Sequence, residues 1–416
     1  MTTNRKTCAE GFVVTRQPVF DRKLKPWGTS MCFAQSEHDE PLFSDESTAG
    51  ILLEAYMPQR SRDQERTMVY FPAEAVLENA PRLLWPDGML VEVDEAAAYE
   101  PGLIQVAEGL KTAGYGLVVS GWRNDPACSS LSRLADVIGI DAATGETLAE
   151  LVAAARATGV KTLVNGLMDW EGMLRARAAQ ADMLQGFFFH RMNLRPGGRS
   201  ITATQLSRLR LLECLGKPDA DFKALARLVE ADAPLAYRLL VFLNSAGFGL
   251  GRKVDSIPQA VVLAGWQPLQ KWLEIILLVD LSPAARHQEL CYYAAQRAGF
   301  LKRLARAAGR ERLVSPLSLL GLFSYLEGIL EVPPAQALEQ VPVDEGIRLA
   351  LCGRTSPYSP WLALVRAMER ADWEEAVRLG AGAGLCLADL SRCYRESFVE
   401  ADTLFRALST PEPSPA

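Results

Sequence analysis

The chain has 416 residues, 49% of them hydrophobic and 23% charged, with a formal net charge of −6. That length predicts two domains, each able to bury a full core. The acidic balance, with Lys and Arg scattered and no basic run, argues against a general nucleic-acid binder. Eight cysteines spread without a CxxC suit free buried thiols in a reducing cytoplasm better than a zinc site or a disulfide framework.

MTTNRKTCAEGF has no apolar core after its basic residues, so no signal peptide is expected. Residues 11–36 read as two short strands joined by a turn containing Pro26 and Gly28. Residues 37–66 hold an expected helix near Ala49–Tyr56 and then a charged loop. A rhythm follows: the apolar runs TMVYF, MLVEVD, YGLVVSGW, DVIGID, VKTLVNG and MLQGFFF alternate with helical stretches such as AAYEPGLIQVAEGLKTAG and TGETLAELVAAARATG. Strand, helix, strand at this spacing predicts parallel βα units, and so many in one stretch favour a closed or nearly closed barrel.

The Gly- and Pro-rich LRPGGRS (Leu194–Ser200) is the expected linker. Thr202 to Leu281 then reads as five helices. Leu206, Leu209, Leu212 and Leu215 form one apolar stripe, Phe222, Leu225, Leu228 and Val229 a second, and Leu235, Leu239, Phe242 and Leu243 a third. Asp221, Asp232 and Ser256 stand at helix starts, and Gly216, Gly247 and Gly265 are expected to close helices in the left-handed conformation. The most apolar window, Trp272 to Leu281, is too short to span a bilayer and reads as a buried helix. Beyond it the chain stays helical, broken at Pro283, Pro316, Pro333–Pro334, Pro342 and Pro357–Pro360, and the tail STPEPSPA is expected to be disordered.

The order QLSRL, DADFKALARLVEAD, PLAYRLLVFLNSAGFG, KVDSIPQAVVLAG and LQKWLEIILL resembles the HDOD domain, a helical output domain related to the HD phosphohydrolases. HDOD domains lack the metal-binding histidines and aspartates of those enzymes. From Ile201 onward the single histidine here is His287, and no His-Asp pair occurs. The first half resembles an EAL domain, the barrel that hydrolyses cyclic di-GMP in bacterial signalling. RQPVFD (Arg16–Asp21) looks like the opening strand, VEVDEA (Val91–Ala96) like the strand with a metal-binding glutamate, and LQGFFFHRMN (Leu184–Asn193) like the closing strand.

Cleaving a phosphodiester with two metals needs several carboxylates converging at the barrel mouth, usually with a lysine. The resemblance implies that Ser30, Met31 and Cys32 stand near the place of the EAL tripeptide, and Tyr70 at the place of an asparagine ligand. Ser120, Gly121 and Trp122 stand for the DDF motif, Gly139 for the lysine, and Asn165 and Met168 for two glutamates. Glu92 and Asp141 are the acids that remain, and Arg16 and Gln17 could contact a guanine base, as in ligand-binding relatives. Each also has a plainer reading as a strand-end residue satisfied by neighbouring polar groups.

Other motifs carry less. GFGLGRK (Gly247–Lys253) follows a helix and lacks Lys-Ser/Thr, so it reads as a turn and not a phosphate loop. His38-Asp39 lies in a polar loop, and His190 and His287 have no partner histidine. Trp266 and Trp272 fall on different helix faces, so at least one belongs to the core, and Asn244 beside Ser245 reads as a backbone-bonded turn residue.

The expected architecture is α/β plus all-α: a degenerate EAL-like (β/α) barrel at 10–195, a linker at 196–200, an HDOD-like helical domain at 201–405 and a tail at 406–416. The expected function is non-catalytic signal transduction in the bacterial cytoplasm through an unidentified protein partner, without cofactor, metal, nucleic acid or membrane. Homodimerisation is left open. The alternatives are a receptor that binds cyclic di-GMP without hydrolysis, through the ligand candidates Arg16, Gln17, Glu92 and Asp141, and a residual cyclic di-GMP phosphodiesterase.

Overall fold

The apolar runs of the first half become strands that close on themselves. The computed structural model describes residues 13–34, 66–188, 200–217, 265–281 and 285–409, with isolated helical positions at Val229, Leu235, Arg238, Leu239, Phe242, Leu243, Gln259 and Leu263. In it β1 (Val13–Asp21), β2 (Pro26–Ala34), β3 (Arg66–Tyr70), β4 (Met89–Asp94), β5 (Gly116–Ser120), β6 (Val137–Asp141), β7 (Lys161–Leu167) and β8 (Met183–Gly186) form a closed barrel in chain order. The six runs beginning at TMVYF are β3 to β8, and residues 11–36 supply the first two strands.

β1 runs antiparallel to both its neighbours, β2 and β8, while the remaining neighbours pair in parallel. A short turn can join only antiparallel strands; parallel ones need a crossover. β1 therefore points its N-terminal end toward the mouth, where the parallel strands end. The turn lies at Arg22–Lys25, one step earlier than expected. Asp21 holds it, its Oδ1 accepting from the Lys23 and Lys25 amides at 2.7 and 2.9 Å. Pro26 and Gly28, expected in that turn, belong to β2. Gly28 is there because a Cβ would sit 2.4 Å from the Arg66 carbonyl oxygen on β3.

One apolar cluster, Val19, Met68, Leu90, Val118, Val137, Leu163 and Met183, fills the barrel interior. Outside it, the helices Leu103–Thr112, Leu148–Ala157 and Trp170–Ala178 each bury a stripe at three- and four-residue spacing, such as Leu103, Ala107 and Leu110.

The described residues of the second half form helices joined by turns, with no strand among them. Ala203–Leu215 opens with a capping box in which Thr202 and Gln205 satisfy each other's backbone amides. Leu209, Leu212 and Leu215 of the first stripe are buried, as are Val229, Leu235, Leu239, Phe242 and Leu243 from the other two. Trp272 is the core tryptophan, stacked on Phe242 with ring centroids 5.5 Å apart, and Trp266 is half-buried. Gly216 has φ −74° and is not left-handed, and Gly265 (φ 77°) precedes Trp266–Val279, so it opens a helix instead of closing one. His287 is not without a partner: its Nε2 lies 3.5 Å from Glu331 Oε1.

Among the described residues one stretch, Glu311–Leu330, is long and apolar enough to cross a membrane by length and composition, and 61% of it is buried in the protein. Cys128, Cys214, Cys291, Cys352, Cys386 and Cys393 are free thiols. The Ala49–Tyr56 helix, His38-Asp39, His190, the linker 196–199, the caps Asp221, Asp232 and Ser256, the GFGLGRK turn, Asn244 with Ser245, and residues 410–416 lie outside the described residues.

The chain divides into two compact units: Met1–Asn193 with Ala363–Arg395, and Leu194–Leu362 with Glu396–Ala416. Ala363–Arg395 thus groups with the barrel, and Glu369 and Tyr394 within it hydrogen-bond to β1.

Candidate functional site

Side chains alternate between the two faces of a strand, so the interior cluster shows which positions face inward. Two residues nearer the mouth than the cluster members on β1 and β3 to β8 stand Gln17, Tyr70, Glu92, Ser120, Gly139, Asn165 and Gln185. Ser30, the register partner of both Gln17 and Met68, completes the ring from β2. A polar layer thus lies directly above an apolar one. Gln17, Ser30, Glu92, Ser120 and Gln185 in it are buried.

This ring contains a single carboxylate, Glu92. Removal from water is the main influence on it and lifts its pKa to about 7, and the nearby charge of Asp94 adds to the shift. The Ser120 hydroxyl opposes it, with one proton to share between Glu92 and the Val93 carbonyl oxygen 3.2 Å away. Burial also raises the Tyr70 phenol, whose hydroxyl donates to Asp94 Oδ2 at 2.7 Å and so leans on a negative charge. The buried Oγ of Ser30 and Oε1 of Gln185, together with Asn165 Oδ1, make no hydrogen bond within the described residues. The ring therefore has polar capacity to spare. No group of three or more His, Cys, Asp or Glu among the described residues is arranged to hold a metal ion.

Of the four ligand candidates, two share the ring. Gln17 accepts from Gln185 Nε2 at 2.9 Å, and Glu92 faces the same interior. Arg16 is buried but lies on the opposite face of β1, in register with Met31. Asp141 ends β6 at the rim, exposed, with its Oδ1 accepting from the Ala143 amide at 2.8 Å, which shapes the turn after the strand. Ser30, Tyr70, Ser120, Gly139 and Asn165 all fall in the ring, and Gly121 follows β5 in the left-handed region at φ 62°. Trp122 is buried, its indole donating to Ser132 Oγ at 3.1 Å.

Gln185, two residues on from Met183, is a ring member that strand alternation alone identifies. Two other participants left no sequence signal. The Tyr394 hydroxyl lies 2.9 Å from Thr15 Oγ, and the Glu369 carbonyl accepts from Gln17 Nε2 at 2.9 Å. Behind the ring, Glu95 is buried and accepts from the Arg123 and Asp125 amides at 2.7 and 3.1 Å, ordering the segment after β5.

The HDOD domain family matches residues 204–326. Over 402 residues the chain is 26% identical to the uncharacterized protein YuxH of Bacillus subtilis, covering 92% of this chain and 96% of that one. Over 400 residues it is 25% identical to the cyclic di-GMP phosphodiesterase CdgJ of Vibrio cholerae, covering 93% and 91% respectively. Among solved structures, the PaMucR phosphodiesterase in complex with c-di-GMP is 16% identical at a TM-score of 0.37, over 47% of this chain and 94% of that one. The Bacillus subtilis YkuI protein, with an EAL domain, is 14% identical at a TM-score of 0.32, over 42% and 54%. Residues 204–326 thus match the HDOD domain family, and a closed eight-stranded barrel precedes them in the chain.

Proposed function

We propose that this protein is a non-catalytic component of cyclic di-GMP signalling that acts through protein–protein contact in the cytoplasm, with the barrel as scaffold and the HDOD domain as output. The observation that carries the reading is the makeup of the ring. Two-metal hydrolysis of a phosphodiester needs carboxylates enough to hold both ions and an activated water. Here one buried carboxylate, Glu92, is surrounded by Gln17, Ser30, Tyr70, Ser120, Asn165 and Gln185, and Gly139 stands where a lysine would offset developing charge. Neutral oxygens and amides can accept or donate hydrogen bonds, but they do not supply the negative charge that a pair of divalent cations requires. The donor set therefore does not fit a two-metal centre.

The test is direct. Incubating the full chain with cyclic di-GMP and magnesium or manganese should yield no linear dinucleotide above the protein-free blank by chromatography. Metal-dependent turnover that disappears in Glu92→Gln would overturn the reading.

A second reading, a receptor that binds cyclic di-GMP without cleaving it, is favoured by the spare hydrogen-bonding capacity of Ser30, Asn165 and Gln185. The ligand candidates that face the interior, Gln17 and Glu92, belong to this reading.

A further inference from the structure

β1 is the strand that enters the barrel reversed, so Thr15 and Gln17 face inward at the mouth end. Both are buried, and both are engaged by the chain's own C-terminal segment. Thr15 meets the Tyr394 hydroxyl, and the Gln17 side-chain amide donates to the Glu369 main-chain carbonyl. Tyr394 and Glu369 are themselves fully buried, and Ala363–Arg395 belongs to the same compact unit as the barrel.

The Glu369 contact has a specific physical origin. Glu369 is the last residue of the helix Ser359–Glu369, and the last carbonyls of a helix have no partner within it. The turn beyond it satisfies two of them. The Ala371 amide donates to the Met368 carbonyl, the Asp372 amide to that of Ala367, and Ala371 sits in the left-handed region at φ 58°. That is the Schellman closure, and it leaves the Glu369 carbonyl for another donor. Gln17 supplies it from inside the barrel. The same Gln17 side chain accepts from Gln185, so one amide joins the polar ring to the end of a helix remote in sequence.

We propose that Ala363–Arg395 is an intramolecular plug. It docks on the inward side chains of β1 at the mouth, and a nucleotide reaches the polar ring only when the segment leaves. The inference rests on the receptor reading for its ligand and adds the regulation of that site: the resting occupant of the mouth is protein.

Hydrogen exchange and calorimetry on the full chain test it, with cyclic di-GMP as the probe. Saturating nucleotide should speed exchange in peptides spanning 363–395 at least tenfold and leave those spanning 285–330 unchanged. Tyr394→Ala, which removes both the hydroxyl and the buried ring, should lower the Kd for cyclic di-GMP at least tenfold. Binding that leaves 363–395 unchanged or slower overturns the plug, as does an equal Kd in the two proteins or the absence of binding to both. Assaying the same samples for linear product separates the two ideas, because product would sink the non-catalytic reading while the plug would still be judged on exchange and affinity.

Discussion

At the scale of the residue, Glu92 shows how a side chain can remain while its setting changes. A carboxylate removed from water in a barrel interior, with the charge of Asp94 nearby, is easier to bury protonated, which is why its pKa is raised from 4.5 to about 7. The unfolded chain releases this proton at lower pH than the folded one. Below pH 4.5 the two states bind it equally and burial of the charge costs nothing. Stability then falls as pH rises toward 7, and above that the full cost, on the order of 3 kcal/mol, is present. Glu92→Gln should therefore stabilise the protein by about 1–3 kcal/mol at pH 8, with the gain vanishing near pH 4.5, as read from urea midpoints. A loss of stability at pH 8 would mean that Glu92 is held as a paired anion. Glu92 stands out in the sequence as an acid on an apolar strand, but Ser30 and Asn165 become ring members only once the register is known.

At the scale of the element, the strands were readable because each apolar run is bounded by Gly, Pro or charge, and the helices because their stripes recur every three or four residues. The turn between β1 and β2 was misplaced for a local reason: Pro26 and Gly28 are common turn residues, while Gly28 serves close strand contact with Arg66. Gly321 is another position governed by approach. A Cβ there would lie 2.5 Å from the Ala298 amide nitrogen, where the helix Val314–Phe323 crosses Ala285–Ala307. Gly321→Ala must separate the two helices and should cost about 1–3 kcal/mol, seen as a lowered Tm. Gly382→Ala, with nothing within 4 Å of the added carbon, should be neutral or slightly stabilising. Equal effects at both sites would refute the close-contact account.

At the scale of the whole molecule, contacts between distant parts of the chain decide the outcome. Within the second unit, the C-terminal part of the helix Leu387–Ser409 is held by Glu400, which accepts from Arg303 at 2.6 Å and pairs with Lys271. Tyr292 donating to Asp402 at 2.6 Å and Gln296 donating to Ser397 at 2.9 Å hold it further. Burial pushes the Glu400 carboxyl upward, but Lys271 and Arg303 more than offset it and keep its pKa below the ordinary value. A depressed carboxyl contributes stability above its unfolded pKa and loses it as pH falls. Arg303→Met should thus lower stability by about 1–3 kcal/mol at pH 7 and by less at pH 4, measured by thermal melts at both values.

The amino-acid sequence by itself determined the strands and helices, their order and the polarity of the barrel interior, because periodicity and punctuation act over a few residues. The tertiary structure alone decided which polar residues share one ring and what meets them at the mouth. Thr15 and Tyr394 are 379 positions apart, and Gln17 and Glu369 are 352 apart. No local pattern encodes such a pair, because which helix end finds the Gln17 amide is settled only when whole elements pack.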